Sequence, residues 1–513
     1  MFLPLTLFVV LGVSSLGQRT AAKLLLFAAS VVFYAWWNPR YVALLLALIT
    51  FNYVVGTWLI DTRNGPHTPR KYALVFGVVV NLAALAYFKY ANFFVVEIGK
   101  AFGHPLHLAP ILLPLGISFM VFQKIAFLVD AFGGGIKRLS LLDYAVFVSF
   151  FPQLIAGPIV HHREVIPQLE QPSALRYSAR LTPIAISFFV IGAFKKVVIA
   201  DAFSPYVGSL FEKASGGAHL GLIDAWSGAL AYTLQVYFDF SGYSDIAIGL
   251  GLLFGIRLPI NFNSPLKATG PIDYWNRWHI TLTRFLMAYI YTPLVMRATR
   301  RRLARRKPTH GESAMRIDAF IMLIAVPTTI TMFLAGVWHG AGYQFIVFGL
   351  IHGAYLVANQ AWRNLRAPSD DDDEPTVGTT ALCRFAMFVG AVAAVPFFRA
   401  DSVATALQFI RGMAGLGGSA TKALGGAPFA ALILAGLFIV QVLPNTYELL
   451  HDRLDRAMPA LARHAGTTDV RWQSSWPRIV WRPSVAWAIV LGLVAWYALM
   501  SMAKTTEFLY FQF

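Results

Sequence analysis

Two histidines stand where ionisable side chains are costly. Val337-Trp338-His339-Gly340 closes an apolar run from Ala319 to Val337 that carries no charged side chain. Trp275-Asn276-Arg277-Trp278-His279 is followed by Ile280, Leu282, Phe285 and Leu286, so its histidine also has apolar neighbours. An imidazole in or against a bilayer is a functional-site candidate by default. The chemistry open to it is general base catalysis, transient carriage of a group, or proton relay. Asp239 and Asp245 accompany them in Tyr237-Phe238-Asp239-Phe240-Ser241-Gly242-Tyr243-Ser244-Asp245, with apolar sequence on both sides. A carboxylate at mid-helix depth costs roughly 2.5–3.5 kcal/mol on insertion scales, so each must be paired, hydrogen-bonded or open to water. One reading makes them structural locks that accept from hydroxyls and backbone amides. The other puts them, with Ser241, in contact with substrate.

The elements that must position these residues are interrupted ones. Arg257-Leu258-Pro259-Ile260-Asn261-Phe262-Asn263-Ser264-Pro265 contains two prolines and two asparagines, which predicts broken backbone rather than continuous helix. Such backbone is tolerated at membrane depth only inside protein or beside a wet cavity. It leads into the Trp275–His279 segment, where Trp275, Arg277 and Trp278 suit an interfacial helix and His279 does so less well. Gln153-Leu154-Ile155-Ala156-Gly157-Pro158-Ile159 is a further Gly-Pro interruption and by itself predicts only a bend.

Hydrophobic residues make up 57% of the 513 and charged residues 13%. A soluble domain carries about a quarter charged residues, so the composition predicts a polytopic membrane protein. Spans of about 20 apolar residues are expected near 21–37, 41–60, 72–90, 111–130, 181–200, 221–238, 318–338, 343–362, 381–398, 427–445 and 483–502. Shorter stretches at 3–16, 143–156, 243–256 and 403–413 are candidates for further spans, re-entrant pieces or interfacial helices. The fold class is therefore all-α, with about 11–14 transmembrane and re-entrant helices. The chain divides by composition into N-terminal spans (1–135), a polar-interleaved core (136–362), an acidic linker (363–380) and C-terminal spans with an aromatic tail (381–513). No fixed-period repeat and no duplicated halves are visible.

The formal net charge is +17, and its densest cluster is Arg297 through Lys307. Between spans, this run is a cytoplasmic loop touching anionic lipid rather than a nucleic-acid patch, so membrane lipids are expected partners and nucleic acid is not. Met1-Phe2-Leu3-Pro4-Leu5 lacks a basic leader and a small-residue cleavage site and is expected to be an uncleaved span. Cys383 is the one cysteine, which excludes internal disulfides and cysteine-based metal clusters. No metal site and no bound cofactor are expected.

Phe238–Asp245, Asn261-Phe262-Asn263, Trp275–His279, Ala156-Gly157-Pro158-Ile159 and Trp338-His339-Gly340 together resemble the membrane-bound O-acyltransferase family. The likeness is nearest to the bacterial branch with alginate O-acetyltransferases and the teichoic-acid D-alanyl transfer protein, and it spans roughly residues 35–362. The resemblance implies a ring of helices around a thin centre, with a funnel or tunnel reaching a catalytic His339 and with His279 as the second functional position. Alginate-type members usually carry Arg-Asp where this chain has Met287-Ala288, and a Gly-Gly-Asn-rich loop where it has the arginine run. These departures bear on substrate and donor contacts, not on the reaction class. The tail, Phe508-Leu509-Tyr510-Phe511-Gln512-Phe513, resembles an acyl-relay motif of D-alanylation and acetylation systems, which makes Tyr510 a candidate acyl acceptor. A docking tail and a remnant of a protease tag are the rival readings.

By this resemblance the chain is an O-acyltransferase of the bacterial inner membrane. It would carry an acyl group, acetyl first, from acetyl-CoA or an acyl carrier to hydroxyls of an extracytoplasmic polysaccharide, finished by a separate acyltransferase partner. The apolar run before His339 starts beside the basic loop and rises about 28 Å over nineteen residues, with Pro327 expected to tilt it. His339 would be a base or an acyl carrier. Ordinary pKa values of about 6.5 for His and 10 for Tyr differ by about 4.8 kcal/mol, which favours proton transfer concerted with attack. His279 and Asn263 would orient the reactants; Asp239, Ser241, Asp245, Asn261, Trp275, Arg277, Trp278 and Trp338 are the remaining substrate-contact candidates. Arg471, Arg478 and Arg482 before the last span put the C-terminus outside. The rival classes are a glycan or lipid-intermediate transporter and a non-catalytic scaffold.

Overall fold

The computed structural model describes residues 1–104, 106, 108–137, 139–154, 157–308, 315–366, 376–418, 424–459 and 481–502. Among the described residues the elements are helices, joined by turns and irregular segments, with no strand. Eight helices are long and apolar enough to cross a membrane: Arg19–Trp37, Arg40–Asp61, His67–Ala101, Thr182–Ser215, Ile317–His339, Tyr343–Leu365, Val377–Arg399 and Gly426–Ala457. Phe2–Ser15 and Val485–Ser501 are shorter apolar helices. The protein is an all-α, multi-pass membrane protein.

Several expected boundaries move, for local reasons. The stretch predicted at 111–130 becomes a helix only from Ile117 to Phe132. Pro110 and Pro114 precede it, and Gly116 takes a left-handed φ of 64° where an added Cβ would meet the Leu154 carbonyl oxygen at 2.2 Å. The stretches at 221–238 and 243–256 are one helix, Leu222–Leu253, which runs through Ser241-Gly242 without a break. Residues 143–156 give Leu141–Ser149 and Phe151–Leu154, separated at Phe150. The arginine run is largely helical rather than a loop: Thr292–Ala304 carries Arg297 and Arg300–Arg302 in its last turns, where cations complement the helix dipole. Arg302 is buried there and donates to Pro308 O at 2.6 Å and to Asp318 at 3.0 Å.

The described chain forms two compact units, each discontinuous in sequence. The first takes Met1–Ala193, Gly242–Ile260 and Thr446–Tyr497, over its described residues. Its interior is held by paired polar groups as well as apolar packing. Asn52 and Asn81 exchange amide hydrogen bonds at 3.1 and 2.7 Å. Lys23 meets Asp143 at 2.5 Å, and Arg257 meets Asp455 at 2.6 Å. Gln168 takes both backbone groups of Arg257, accepting from its N–H at 2.8 Å and donating to its carbonyl at 2.9 Å.

The second unit takes Phe194–Ser241, Asn261–Asn445 and the described residues from Ala498. Its central feature is the antiparallel pair Ile317–His339 and Tyr343–Leu365. Glycines let the two backbones meet: a Cβ on Gly336 would lie 2.4 Å from Phe345 O, and one on Gly349 would lie 2.3 Å from Met332 O. Close approach through small residues is how helices associate where lipid removes the hydrophobic drive. Within the first of these helices, a π-helical turn at Ile321–Ala325 immediately precedes the segment carrying Pro327. The widened turn falls where the proline ring would press on the preceding carbonyl groups. At the edge of the unit, burial pushes the Asp401 carboxyl upward in pKa. Hydrogen bonds from Ser215, Thr405 and Ser402 outweigh that and hold it below the usual carboxylate range.

Candidate active site

The predicted irregular backbone is present and is what places His279. After Leu253 no helix forms until a short 3-10 turn at Pro265–Lys267, and Ser264 takes a left-handed φ of 48°. Within the second unit this segment is pinned from two sides. Asn263 N–H donates to Arg277 O at 2.9 Å and Ile280 N–H donates to Asn261 O at 3.0 Å. Asn445 donates to Asn263 Oδ1 at 3.2 Å and to Ser264 Oγ at 2.9 Å, while Lys267 donates to Leu443 O at 2.8 Å.

His279 itself adopts a left-handed φ of 45° at the start of the Ile280–Leu286 helix. A β-carbon-bearing residue there is strained, a state that persists only where surroundings impose it. The ring is 1% exposed. Its Nδ1 lies 3.1 Å from Asn261 Oδ1, which also accepts from Thr281 Oγ1 at 2.9 Å. An amide oxygen can only accept, so Nδ1 carries the proton and Nε2 presents its lone pair. Phe240 meets the ring edge-on at 4.8 Å, and Trp338 lies 6.1 Å away between ring centroids.

His339 is the last residue of its helix, 8% exposed, where the backbone opens into extended Gly340. A Cβ on Gly340 would lie 2.2 Å from the Phe345 ring, so a larger residue after His339 would have to displace that ring. Trp338 at 5.0 Å, Phe398 at 5.0 Å and Phe348 at 6.2 Å surround the imidazole. Trp338 thus packs against both histidines, which come from segments sixty residues apart in sequence. Trp278 stacks on Tyr274 at 5.9 Å and 8°, and Arg277 is held by Asp273 at 2.6 Å. Trp275 is buried, and its Nε1 has no hydrogen-bond partner among the described residues.

The membrane-bound O-acyltransferase family model matches residues 71–307. A probable alginate O-acetylase of Azotobacter vinelandii is 33% identical over 533 residues, covering 100% of this chain and 98% of its own. A peptidoglycan O-acetyltransferase of Helicobacter pylori is 38% identical over 452 residues, 81% of this chain and 80% of that one. The chain belongs to the membrane-bound O-acyltransferase family. A teichoic acid D-alanyltransferase of Lacticaseibacillus rhamnosus is more distant, 28% identical over 59% of this chain and 77% of its own length. The family match stops short of His339, but the full-length relative covers it.

In this O-acyltransferase the remaining candidates divide by environment. Asp239 lies 2.9 Å from the Lys196 ammonium, which also meets Asp201 at 2.5 Å. The π-helical turn Lys195–Ala200 carries Lys196 and leads into Asp201, and the Lys196 ammonium lies between the Asp201 and Asp239 carboxylates. Ser241 is buried, and its Oγ has no hydrogen-bond partner among the described residues. Asp245 falls in the first unit and accepts from Thr446 Oγ1 at 2.6 Å. Tyr510 and the rest of its tail lie outside the described residues, as do Ala156, Arg471 and Arg478.

Several buried polar groups of the second unit were not expected from the sequence, and two of them bear on these residues. Lys196 is one: it lies inside the span expected at 181–200 and is not among the candidates read from the sequence. His352 is the other, 1% exposed, stacked on Tyr274 at 5.9 Å and meeting Phe348 at 4.6 Å. Its Nδ1 makes no hydrogen bond among the described residues. Gly349-Leu350-Ile351-His352-Gly353, an imidazole between glycines on an apolar helix, was the available signal.

Proposed function

We propose that this O-acyltransferase moves an acetyl group from cytoplasmic acetyl-CoA, across the bacterial inner membrane, to hydroxyls of an extracytoplasmic polysaccharide, with His339 as general base. The observation that carries the reading is the pair of buried histidines that both pack against Trp338. The naming of its relatives as alginate and peptidoglycan O-acetylating enzymes supports acetyl as the group and a glycan as the acceptor.

In the proposed step His339 accepts the proton of the acceptor hydroxyl as that oxygen attacks the thioester carbonyl. The new C–O bond forms, the C–S bond breaks, and the departing thiolate takes the proton back. His279, with Nδ1 committed to Asn261, offers Nε2 to hold or pass a proton beside the same tryptophan. Tyr510 would be the first acceptor, passing the acyl group to a separate extracytoplasmic acyltransferase. The role of Asp239 and Asp245 is structural: each carboxylate has a protein partner, Lys196 in one case and Thr446 in the other.

The test is acyl transfer from radiolabelled acetyl-CoA by the full chain in proteoliposomes. Label on protein or acceptor is expected for the wild type and lost for His339→Ala at unchanged membrane abundance. Full labelling by Tyr510→Phe would retire the relay and leave the base in place. Transport of an unmodified glycan without labelling would replace the enzyme reading with the transporter one.

A further inference from the structure

In the first unit three ligand-type side chains that the proposed acyl transfer does not use converge on one another. Asp130, near the end of the Ile117–Phe132 helix, has Oδ2 3.0 Å from His161 Nε2 and 3.6 Å from His162 Nε2. One donor atom from each of the three lies within 4.8 Å of the others. The local chain explains how two adjacent histidines face one carboxylate. His161 is extended (φ −88°, ψ 144°) and caps the helix that His162 begins, so the two rings leave consecutive positions side by side, 4.1 Å apart. Glu164 accepts from His161 N–H at 2.9 Å and fixes that entry.

His162 is 4% exposed, and neither of its ring nitrogens has a hydrogen-bond partner among the described residues. Buried imidazoles normally satisfy at least one, so the ring keeps bonding capacity that a water or an ion would fill. Bonds of about 2.0–2.1 Å to a tetrahedral centre set ligand atoms about 3.3 Å apart. The two nitrogen–carboxylate separations, 3.0 and 3.6 Å, bracket that value.

We propose that Asp130, His161 and His162 bind a divalent transition-metal ion, zinc by preference, which staples the end of the Ile117–Phe132 helix to the start of the His162–Glu170 helix. Two imidazoles and a carboxylate suit zinc and leave a fourth position for water. Binding requires one rearrangement at His161. Its Nδ1 now accepts from Arg163 N–H at 3.3 Å, so Nε2 carries the proton. When Nε2 ligates, that proton moves to Nδ1 and the long capping bond is given up. The Arg163 guanidinium, 3.6 Å from Asp130 Oδ2 on a side chain that is 59% exposed, swings to water as the metal replaces its charge. No such set was expected from the sequence, because thirty residues separate Asp130 from the histidine pair.

The full chain, purified in detergent, loaded with zinc chloride and desalted, is read by elemental analysis of the monodisperse fraction. The wild type retains one zinc per chain, and the exposed-histidine control His219→Ala retains the same. Asp130→Ala and the milder His162→Gln, which guards against misfolding, bind at least about 100-fold more weakly. Cobalt(II) substitution gives a tetrahedral visible spectrum in the wild type and not in these variants. A wild type without zinc, or variants with undiminished stoichiometry and unchanged cobalt spectra, would overturn the proposal.

Discussion

The molecule sets two histidine pairs in different company. His279 faces the amide oxygen of Asn261, whereas His161 and His162 face the carboxylate of Asp130. A neutral acceptor fixes a tautomer without adding charge, and so leaves a basic lone pair on the other nitrogen. A carboxylate adds charge, which suits a cation between the rings. On the two readings proposed above, one side-chain type serves proton transfer in one unit and ion holding in the other, and the partner atom decides which. The carboxylates of Asp239 and Asp245 each face a protein side chain, Lys196 and Thr446, and the proposed chemistry leaves them a structural role.

The sharpest break of that contrast comes at His339. His339→Ala should lower acyl transfer by about 100- to 10,000-fold, the range for a positioned proton-transfer group. Labelled acetyl incorporation in membranes with matched protein abundance measures it. A variant that keeps wild-type turnover would move the chemistry to another group, with His279 the first to examine.

Next in size is the Lys196 ion pair. Lys196→Ala leaves Asp239 buried opposite no cation and should cost about 3–5 kcal/mol, read as a lower unfolding midpoint in detergent. The double variant Lys196→Met, Asp239→Asn should recover part of that loss. If Lys196→Ala instead raised KM at unchanged stability, Asp239 would belong with substrate contacts and not with the structural locks.

Asn261→Leu tests the tautomer argument directly. Without the amide oxygen, His279 loses its orienting partner, and turnover should fall on the order of tenfold to 100-fold, by analogy with the partners that orient metal-bound imidazoles. Thr281→Val, which removes the hydroxyl donor to Asn261 Oδ1 and keeps the backbone one, should act in the same direction and less strongly. Equal turnover in wild type and Asn261→Leu would mean that His279 acts without a fixed proton position.

The sequence was legible where chemistry and hydrophobicity contradict each other. His279, His339 and the proline-asparagine break at 257–265 are polar interruptions of apolar sequence, and all three lie where that conflict predicted special structure. Span positions were legible because twenty apolar residues have few alternatives. What stayed hidden depends on the third dimension. Nothing local tells that Lys196 reaches Asp239 forty-three residues later, because the pair joins two different helices and follows no periodic pattern. The Leu222–Leu253 helix read as two pieces because Ser241-Gly242 looks like a break, yet Gly242 is where another backbone packs. A Cβ on Gly192 would lie 2.6 Å from its carbonyl oxygen. The arginine run read as a loop because charge masks helix propensity, although arginine is a good helix former.

The smallest expected effect is at the Asn52–Asn81 pair, and it sets the floor for the comparison. Both amides are fully buried and exchange hydrogen bonds between two membrane-spanning helices. Each also donates to a carbonyl one turn back in its own helix, Asn52 to Leu48 O at 2.8 Å and Asn81 to Gly77 O at 2.7 Å. Removing one side chain therefore leaves the other still bonded, unlike the stranded Asp239 of Lys196→Ala. Asn52→Leu should cost about 0.6–1.7 kcal/mol, the span for interhelical hydrogen bonds in bilayers. The double variant with Asn81→Leu should cost less than twice as much, because the shared bond is lost only once. Acyl transfer should not change in either variant, as measured beside the unfolding midpoint. A marked loss of turnover with intact stability would show that polar groups in the first unit do more than hold helices together, and the division of labour drawn from the two histidine pairs would have to be redrawn.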